Sequence, residues 1–391
     1  MLAMKRRLTV SDQRRAIVAM VSDAIYPYHR GGKEVRYHEL ARRLAERAEV
    51  HVYTMQWWSG PHQRTEDAVT FHAISRLHSL YTKNRRSVSQ AVFFAVACFR
   101  LLGTTFDVLE ADHIPYFQVI VLRLVTALKR RPLVVTWHEV WGRSYWRQYL
   151  GWVGLAAWMI ESLAMRMPDH IIAASPQTAE RLRMAGTYRG PITEAPNGID
   201  IDSIREIHPD EAATDLVVVG RLMAHKRIDM LLEAVTLLHG EGVPVTCRII
   251  GDGPERLSLR DRARELGIDH AVDFRHDVAE QKDVYALMKA AKIFVFPSAR
   301  EGFGIAVLEA LACGLPVVTT SAPDNLAQHL AARSSSSLIC DPSASGIAAA
   351  VKRMLTQRAG QPSDRDEIDE PWLAEYSWRT TADRVAEALF T

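Results

Sequence analysis

Two glutamates eight positions apart, Glu301 and Glu309, mark the stretch of this 391-residue chain best equipped for chemistry. They lie in FVFPSAREGFGIAVLEALACGLPVV (residues 294–318), which reads as strand, glycine loop, helix, turn and strand. Residues 294–296 are apolar and β-prone, and Pro297 cannot continue a central strand. Gly302 and Gly304 permit a tight loop and a close backbone approach to a ligand. From Ile305 the apolar residues Leu308, Leu311 and Ala312 keep helical spacing, and Cys313-Gly314 followed by Pro316 ends the helix. A helix start aimed at such a loop favours an anion, because its amides lack partners and its dipole is positive there. One glutamate on the loop and one about two turns into the helix can face the same crevice. Carboxylates beside an anion site suit hydrogen bonds to sugar hydroxyls rather than contacts with phosphate.

The Glu-x7-Glu pattern, with GFG inside it and CGLPVV after it, resembles the retaining glycosyltransferases of family 4. The resemblance covers nearly the whole chain and is most specific over residues 215–318. It implies an α/β fold of the GT-B type, two Rossmann-like domains facing a central cleft. VVVGRLMAHKRID (217–229) is similar to the family segment in which an arginine and a lysine grip the donor diphosphate, here Arg221 and Lys226. Breaking a sugar–phosphate bond puts about one extra negative charge on the departing nucleotide, and fixed cations stabilise that charge most in the transition state. By the family pattern Glu309 takes the ribose hydroxyls. Glu301, with the backbone of Gly302, Phe303 and Gly304, meets the transferred sugar and the phosphate. IIGDGPER (249–256) lacks the third glycine of a dinucleotide fingerprint and matches the family's GxGP turn, so Gly251 and Gly253 are expected to shape the nucleotide pocket. His276 and Val278, in RHDV, resemble the segment that contacts the base.

In the first half, Gly31-Gly32 resembles the family's GG loop, where bare backbone admits the diphosphate and an acceptor hydroxyl. His138, in TWHEVWG, aligns with a histidine placed against the donor sugar; His113, in EADHIP, and Trp141 are assigned to the acceptor. The implied reaction moves a hexose-type sugar from a UDP or GDP donor to a hydroxyl of a saccharide, lipid-linked saccharide or small molecule. It retains the anomeric configuration, and the departing phosphate takes the acceptor proton. No cofactor and no metal are expected: Asp200-Ile201-Asp202 has the spelling of a metal motif but falls in the inter-domain turn. Where many family members carry GG-x-x-E, this chain reads TTSAPDNLAQHL (319–330), which leaves the sugar open. Two other readings stand beside this one, a nucleotide-sugar epimerase or hydrolase on a GT-B frame and a catalytically inactive sugar-binding protein.

Composition narrows the field. A net charge of +2 gives no general argument for nucleic acid. Four cysteines without CxxC or Cys/His spacing suggest reduced thiols rather than zinc. The basic opening lacks the apolar core of a signal peptide, and no uninterrupted apolar window is long enough to span a bilayer. A cytoplasmic protein is expected. The basic, tryptophan-bearing stretches around Trp146, Trp152 and Trp158 fit peripheral contact of the first domain with the inner face of a membrane.

These residues need a frame to hold them. Apolar runs of strand length alternate with helical patterns along the chain, which predicts parallel α/β sheets. Strands are expected at 15–23, 50–54, 106–110, 133–137 and 170–174, then again from 215–220 onward. The reading gives domains at 1–200 and 201–371. It adds a C-terminal helix within 372–391 that, by the resemblance, crosses back to the first domain.

Overall fold

The structure, a computed structural model, describes residues 14–29, 31–82, 85–278, 280–358 and 370–391. The basic opening of the sequence, Arg30 and most of the acidic linker 364–371 lie outside the described residues. Residues up to Gly198, joined by Trp378–Thr391, form one compact unit, and Ile199–Ser377 form the other.

The first unit runs β1 (Ile17–Val21), α1 (Gly32–Leu44), β2 (Glu49–Met55), β3 (Gln63–Glu66), β4 (Val69–Ser75), and a small hairpin of β5 (Tyr81–Thr82) and β6 (Arg85–Arg86). It continues with α2 (Val88–Ala97), β7 (Val108–Asp112), α3 (Tyr116–Lys129), β8 (Leu133–Trp137), α4 (Gly142–Leu150), α5 (Gly154–Met165), β9 (His170–Ala173), α6 (Pro176–Ala185) and β10 (Ile192–Glu194). The sheet order is β10-β9-β8-β7-β1-β2-β4-β3, parallel throughout except where β3 pairs with β4. Strands buried on both faces read as continuous apolar runs, as in IVAMV and LVVTW. Their two faces pack on different helices. Tyr37, Leu40 and Leu44 of α1 cover one face together with Val385, Ala386 and Leu389 of the C-terminal helix Trp378–Phe390. Phe94, Leu122, Met165 and Leu182, from α2, α3, α5 and α6, cover the other.

The second unit opens with α7 (Ile201–Glu206), β11 (Thr214–Val219), α8 (Ile228–Gly240), β12 (Cys247–Ile250), α9 (Arg256–Glu265), β13 (Val272–Arg275), α10 (Gln281–Lys289) and β14 (Ala291–Phe296). Then come β15 (Arg300–Glu301), α11 (Ile305–Ala312), β16 (Val317–Thr320), β17 (Asp324–Asn325), α12 (Gln328–Ala331), β18 (Leu338–Cys340) and α13 (Ala344–Arg358). Its main sheet is ordered β13-β12-β11-β14-β16-β18 and is wholly parallel. In both sheets the strand order reverses beside the first strand. In the first unit this happens between β1 and β7, and in the second between β11 and β14. Ligands of open parallel sheets bind beyond the carboxyl ends of the strands at such a reversal.

Several elements differ from the sequence reading. The strand expected at 106–110 begins at Val108, because Phe106 is buried and the Asp107 carboxylate accepts the amide of Ile17 at 2.9 Å. The inter-domain turn expected at Asp200-Ile201-Asp202 instead opens α7, capped by Asp200, whose Oδ1 accepts the amide of Ser203 at 3.2 Å. Asp200 therefore terminates a helix. The edge strand β3 and its inner neighbour β4 were not among the expected strands; β3 is four polar residues, QRTE, with no apolar alternation.

Candidate active site

In the second unit, the carboxyl ends of β11 and β14 sit side by side, with Val217 in register with Phe294. Loop 220–227 leaves β11 and carries exposed Arg221 and partly buried Lys226. Loop 297–304 leaves β14 and carries Glu301, which forms an ion pair with Lys226. The two loops are laced together by backbone: the carbonyl of His225 accepts the amide of Ala299 at 2.8 Å and the Ser298 hydroxyl at 3.4 Å. Sequence spacing of 75 residues gave no hint of the Lys226–Glu301 contact; sheet order creates it.

Gly251 and Gly253 lie beneath this loop. A Cβ on Gly251 would stand 2.0 Å from the carbonyl oxygen of Gly220, and one on Gly253 would stand 2.3 Å from that of Leu222. Backbone packs directly on backbone there, and the amide of Leu222 donates to Asp252 O at 3.0 Å. Gly304 has φ +91° and precedes α11; a Cβ on it would meet Ala327. Phe303, between the glycines, is buried and packs against Tyr376, so only its backbone is available to a ligand. β15 pairs with β17, which sets Asp324-Asn325 beside Glu301. Asn325 is itself buried, donating to Thr319 Oγ1 at 3.0 Å and Thr320 O at 2.9 Å, so its amide braces the sheet end. His276 is exposed beyond β13, whereas Val278 packs on the core around Leu287 and Leu308.

Glu309 lies on α11 with its Oε1 taking the Tyr285 hydroxyl at 2.7 Å and Gln281 Nε2 at 3.3 Å. Burial pushes its carboxyl up to about 7, against the Tyr285 hydrogen bond, which favours the charged form. An acid raised above its ordinary value stabilises the fold fully below that value and loses the contribution as pH climbs through the raised one. Glu309→Gln removes the ionisable group at nearly constant size. Without nucleotide, its melting temperature should therefore improve relative to wild type between roughly pH 5 and pH 8. Melts at the two pH values check this, and a difference that does not move with pH would refute the burial account.

In the first unit the strands at the reversal, β1 and β7, are joined by β8. Their ends carry Asp23, Asp112-His113 and His138, and the start of α1 carries Gly31, Gly32 and Lys33. Lys33 Nζ bridges Asp23 Oδ1 at 3.0 Å and Asp112 Oδ2 at 2.8 Å, with Glu34 at 3.7 Å. Arg86 and Gln90 add to Asp23, at 3.0 Å and 3.1 Å from its Oδ2. Burial alone would raise both aspartates, but Lys33 holds Asp112 far below the usual carboxylate range, and Lys33 with Arg86 lowers Asp23. Lys33, which burial would lower, is instead held above the usual lysine range by Asp112 and Asp23.

His138 stands with its Nε2 3.6 Å from Asp112 Oδ1. Burial drops its imidazole to about 3 despite that carboxylate, so the ring is neutral at physiological pH. His113 is fully buried among Asp112, Trp137 and Tyr116. The acceptor contact expected for it is not supported, because its ring is enclosed; it lies against Asp112 instead. Ligand atoms of Asp112, His113 and His138 fall within 4.8 Å of one another, a spacing a metal ion could use. Lys33 already supplies a cation to Asp112. Trp141 is partly buried, with its amide bound to Glu161 Oε1 at 2.9 Å; Glu161 also takes Gly142 N and Trp146 Nε1.

Sequence reasoning passed over Lys33, Asp23, Tyr285 and Glu161. The usable signals were a lysine directly after Gly31-Gly32 and one acid alone in an apolar helix.

Comparison with known proteins adds an independent line. A family model described as Glycosyl transferases group 1 matches residues 200–370, and one described as Glycosyltransferase Family 4 matches residues 30–203. A human phosphatidylinositol N-acetylglucosaminyltransferase subunit is 24% identical over 94% of this chain and 74% of its own length. A glycogen synthase of Mycobacterium tuberculosis is 27% identical over 61% of this chain, and only 59% of that protein is spanned. Among solved structures, sucrose-phosphate synthase from Thermosynechococcus elongatus has a TM-score of 0.77 at 18% identity, covering 95% of this chain and 98% of that one. That likeness shows the fold, the GT-B architecture of Rossmann-like domains.

Proposed function

Because the chain belongs to the group 1, family 4 glycosyltransferases, we propose that it transfers a hexose-type sugar from a UDP or GDP donor to a hydroxyl, with retention and without a metal. The acceptor is a saccharide, a lipid-linked saccharide or a small molecule. The observation that carries the reading is the Lys226–Glu301 pair at the strand reversal of the second unit, with Arg221 on the same loop. In the proposed resting state Glu301 holds the lysine in place. A donor diphosphate takes over Lys226 and Arg221, and Glu301 turns to the sugar hydroxyls. As the bond between the anomeric carbon and the phosphate oxygen breaks, the cations stabilise the charge on the leaving oxygen. The acceptor oxygen bonds to the anomeric carbon on the same face, and its proton passes to the departing phosphate. Neutral His138 can donate a hydrogen bond to the sugar without adding charge. Tyr285 and Gln281 hold Glu309 for the ribose hydroxyls.

Purified protein incubated with UDP- and GDP-sugars and an acceptor panel tests this, with the product anomer read by proton NMR. An inverted product would overturn retention, and conversion of donor without acceptor would favour an epimerase or hydrolase. Excess chelator should leave turnover unchanged; loss that added divalent ion restores would move Asp112, His113 and His138 into a metal role.

A further inference from the structure

The helices α2, α3 and α5 form one layer on the first unit, α2 packing on α3 and α3 on α5. Their inner faces fill the core through Phe94, Leu122 and Met165. Their outer faces are apolar too. Phe93 and Val96 of α2 and Leu128 of α3 are exposed, as is Met159 of α5, and Trp152 before α5 is 87% exposed. A helix apolar on every side belongs inside a larger assembly or against lipid. Charge on this layer is of one sign. Residues 88–103, 116–131 and 142–166 contain one acid, Glu161, which is buried beneath Trp146. The same segments carry Arg100, Lys129, Arg130, Arg143, Arg147 and Arg166. Two further arginines, Arg123 and Arg131, pair with Asp169 and Asp107 on neighbouring loops. Arg143 lies over the Trp158 ring and Arg147 over the Trp152 ring, so guanidinium groups and indoles share one surface.

We infer that this outer face of α2, α3 and α5 rests on an anionic lipid bilayer. Apolar side chains enter the acyl boundary while the arginines and Lys129 meet lipid phosphates. No described helix is long and apolar enough to cross a membrane, so the layer lies in the interface plane. A second copy of the chain is the poorer occupant, because it would bring an equally basic, acid-free face into contact with this one.

The test is co-sedimentation of the full chain with vesicles of phosphatidylcholine alone or mixed with phosphatidylglycerol, at low and high salt. Binding is expected only to the mixed vesicles and should weaken with salt. Arg143→Gln and Arg147→Gln should each weaken it about fivefold. Phe93→Ser combined with Trp152→Ser should abolish most of the rest. Lys352→Gln with Arg353→Gln, on α13 of the second unit, should leave it intact. Equal binding to both vesicle types, absence of binding, or equal loss in the α13 variant would overturn the inference. So would a dimer in gel filtration that the Phe93/Trp152 variant dissociates. None of these readouts needs sugar transfer, so the proposed reaction can fail without touching them.

Discussion

Lys226→Ala should lower kcat/KM by about a hundredfold or more while leaving the fold intact. The ammonium ends beside the strand reversal, where the proposed donor diphosphate gathers negative charge, and such fixed cations act mostly in the transition state. Stability should barely move, because Lys226 and Glu301 are both partly exposed and a pair of that kind contributes about 1 kcal/mol or less. The two readouts therefore separate: steady-state kinetics collapse and the melting curve stays. Lys226→Arg should recover part of the rate, since charge returns in a different shape. A Lys226→Ala enzyme that keeps its melting curve and turns over within a few-fold of wild type would remove the lysine from the reaction.

Lys33→Met is expected to do the opposite kind of damage. Lys33 is the shared counter-charge of two fully buried carboxylates, Asp23 and Asp112, and only Asp23 has a second cation in Arg86. Removing one partner of a buried ion pair costs about 3–5 kcal/mol, because the remaining charge stays desolvated. For a unit of this size the melting temperature should drop by roughly 10 °C. The sign with pH follows from the shifts. Both aspartates are lowered, so their stabilisation exists above the ordinary carboxylate range and is lost as pH falls through their depressed values. Lys33 is raised, so its share persists up to the ordinary lysine range and fades only as pH rises through its elevated value. The deficit of Lys33→Met should thus be largest near neutrality and shrink toward about pH 4, where the orphaned aspartates can protonate. Adding Asp112→Asn should restore much of the loss. A deficit equally large at both pH values, or a double variant no better than the single one, would show that the cluster is not held by this charge balance.

Much of the frame was legible because parallel sheets buried on both faces write themselves as apolar runs. IVAMV, LVVTW and AKIFVF gave away β1, β8 and β14, and GFG followed by an apolar helical stripe gave away α11. What could not be read was the pairing. Lys33 and Asp112 are 79 positions apart and meet only because β7 inserts beside β1, Val21 in register with Ala111. Lys226 and Glu301 meet for the same reason beside β11 and β14. Side-chain roles inside a motif were equally opaque. Phe303 sits between two loop glycines, yet its ring belongs to the core with Tyr376. His113, assigned to an acceptor from its place after a strand, is enclosed by Trp137 and Tyr116. Polar edge strands such as QRTE carry no periodic signal at all.

The last helix, Trp378–Phe390, seals one face of the first sheet with Val385, Ala386 and Leu389. On a ribosome those residues emerge after the whole of Ile199–Ser377. The first sheet must therefore wait with an uncovered greasy flank while its successor is made. Vectorial synthesis runs in one order and completion in another, and a chain halted before Trp378 would expose the very surface that invites capture by chaperones.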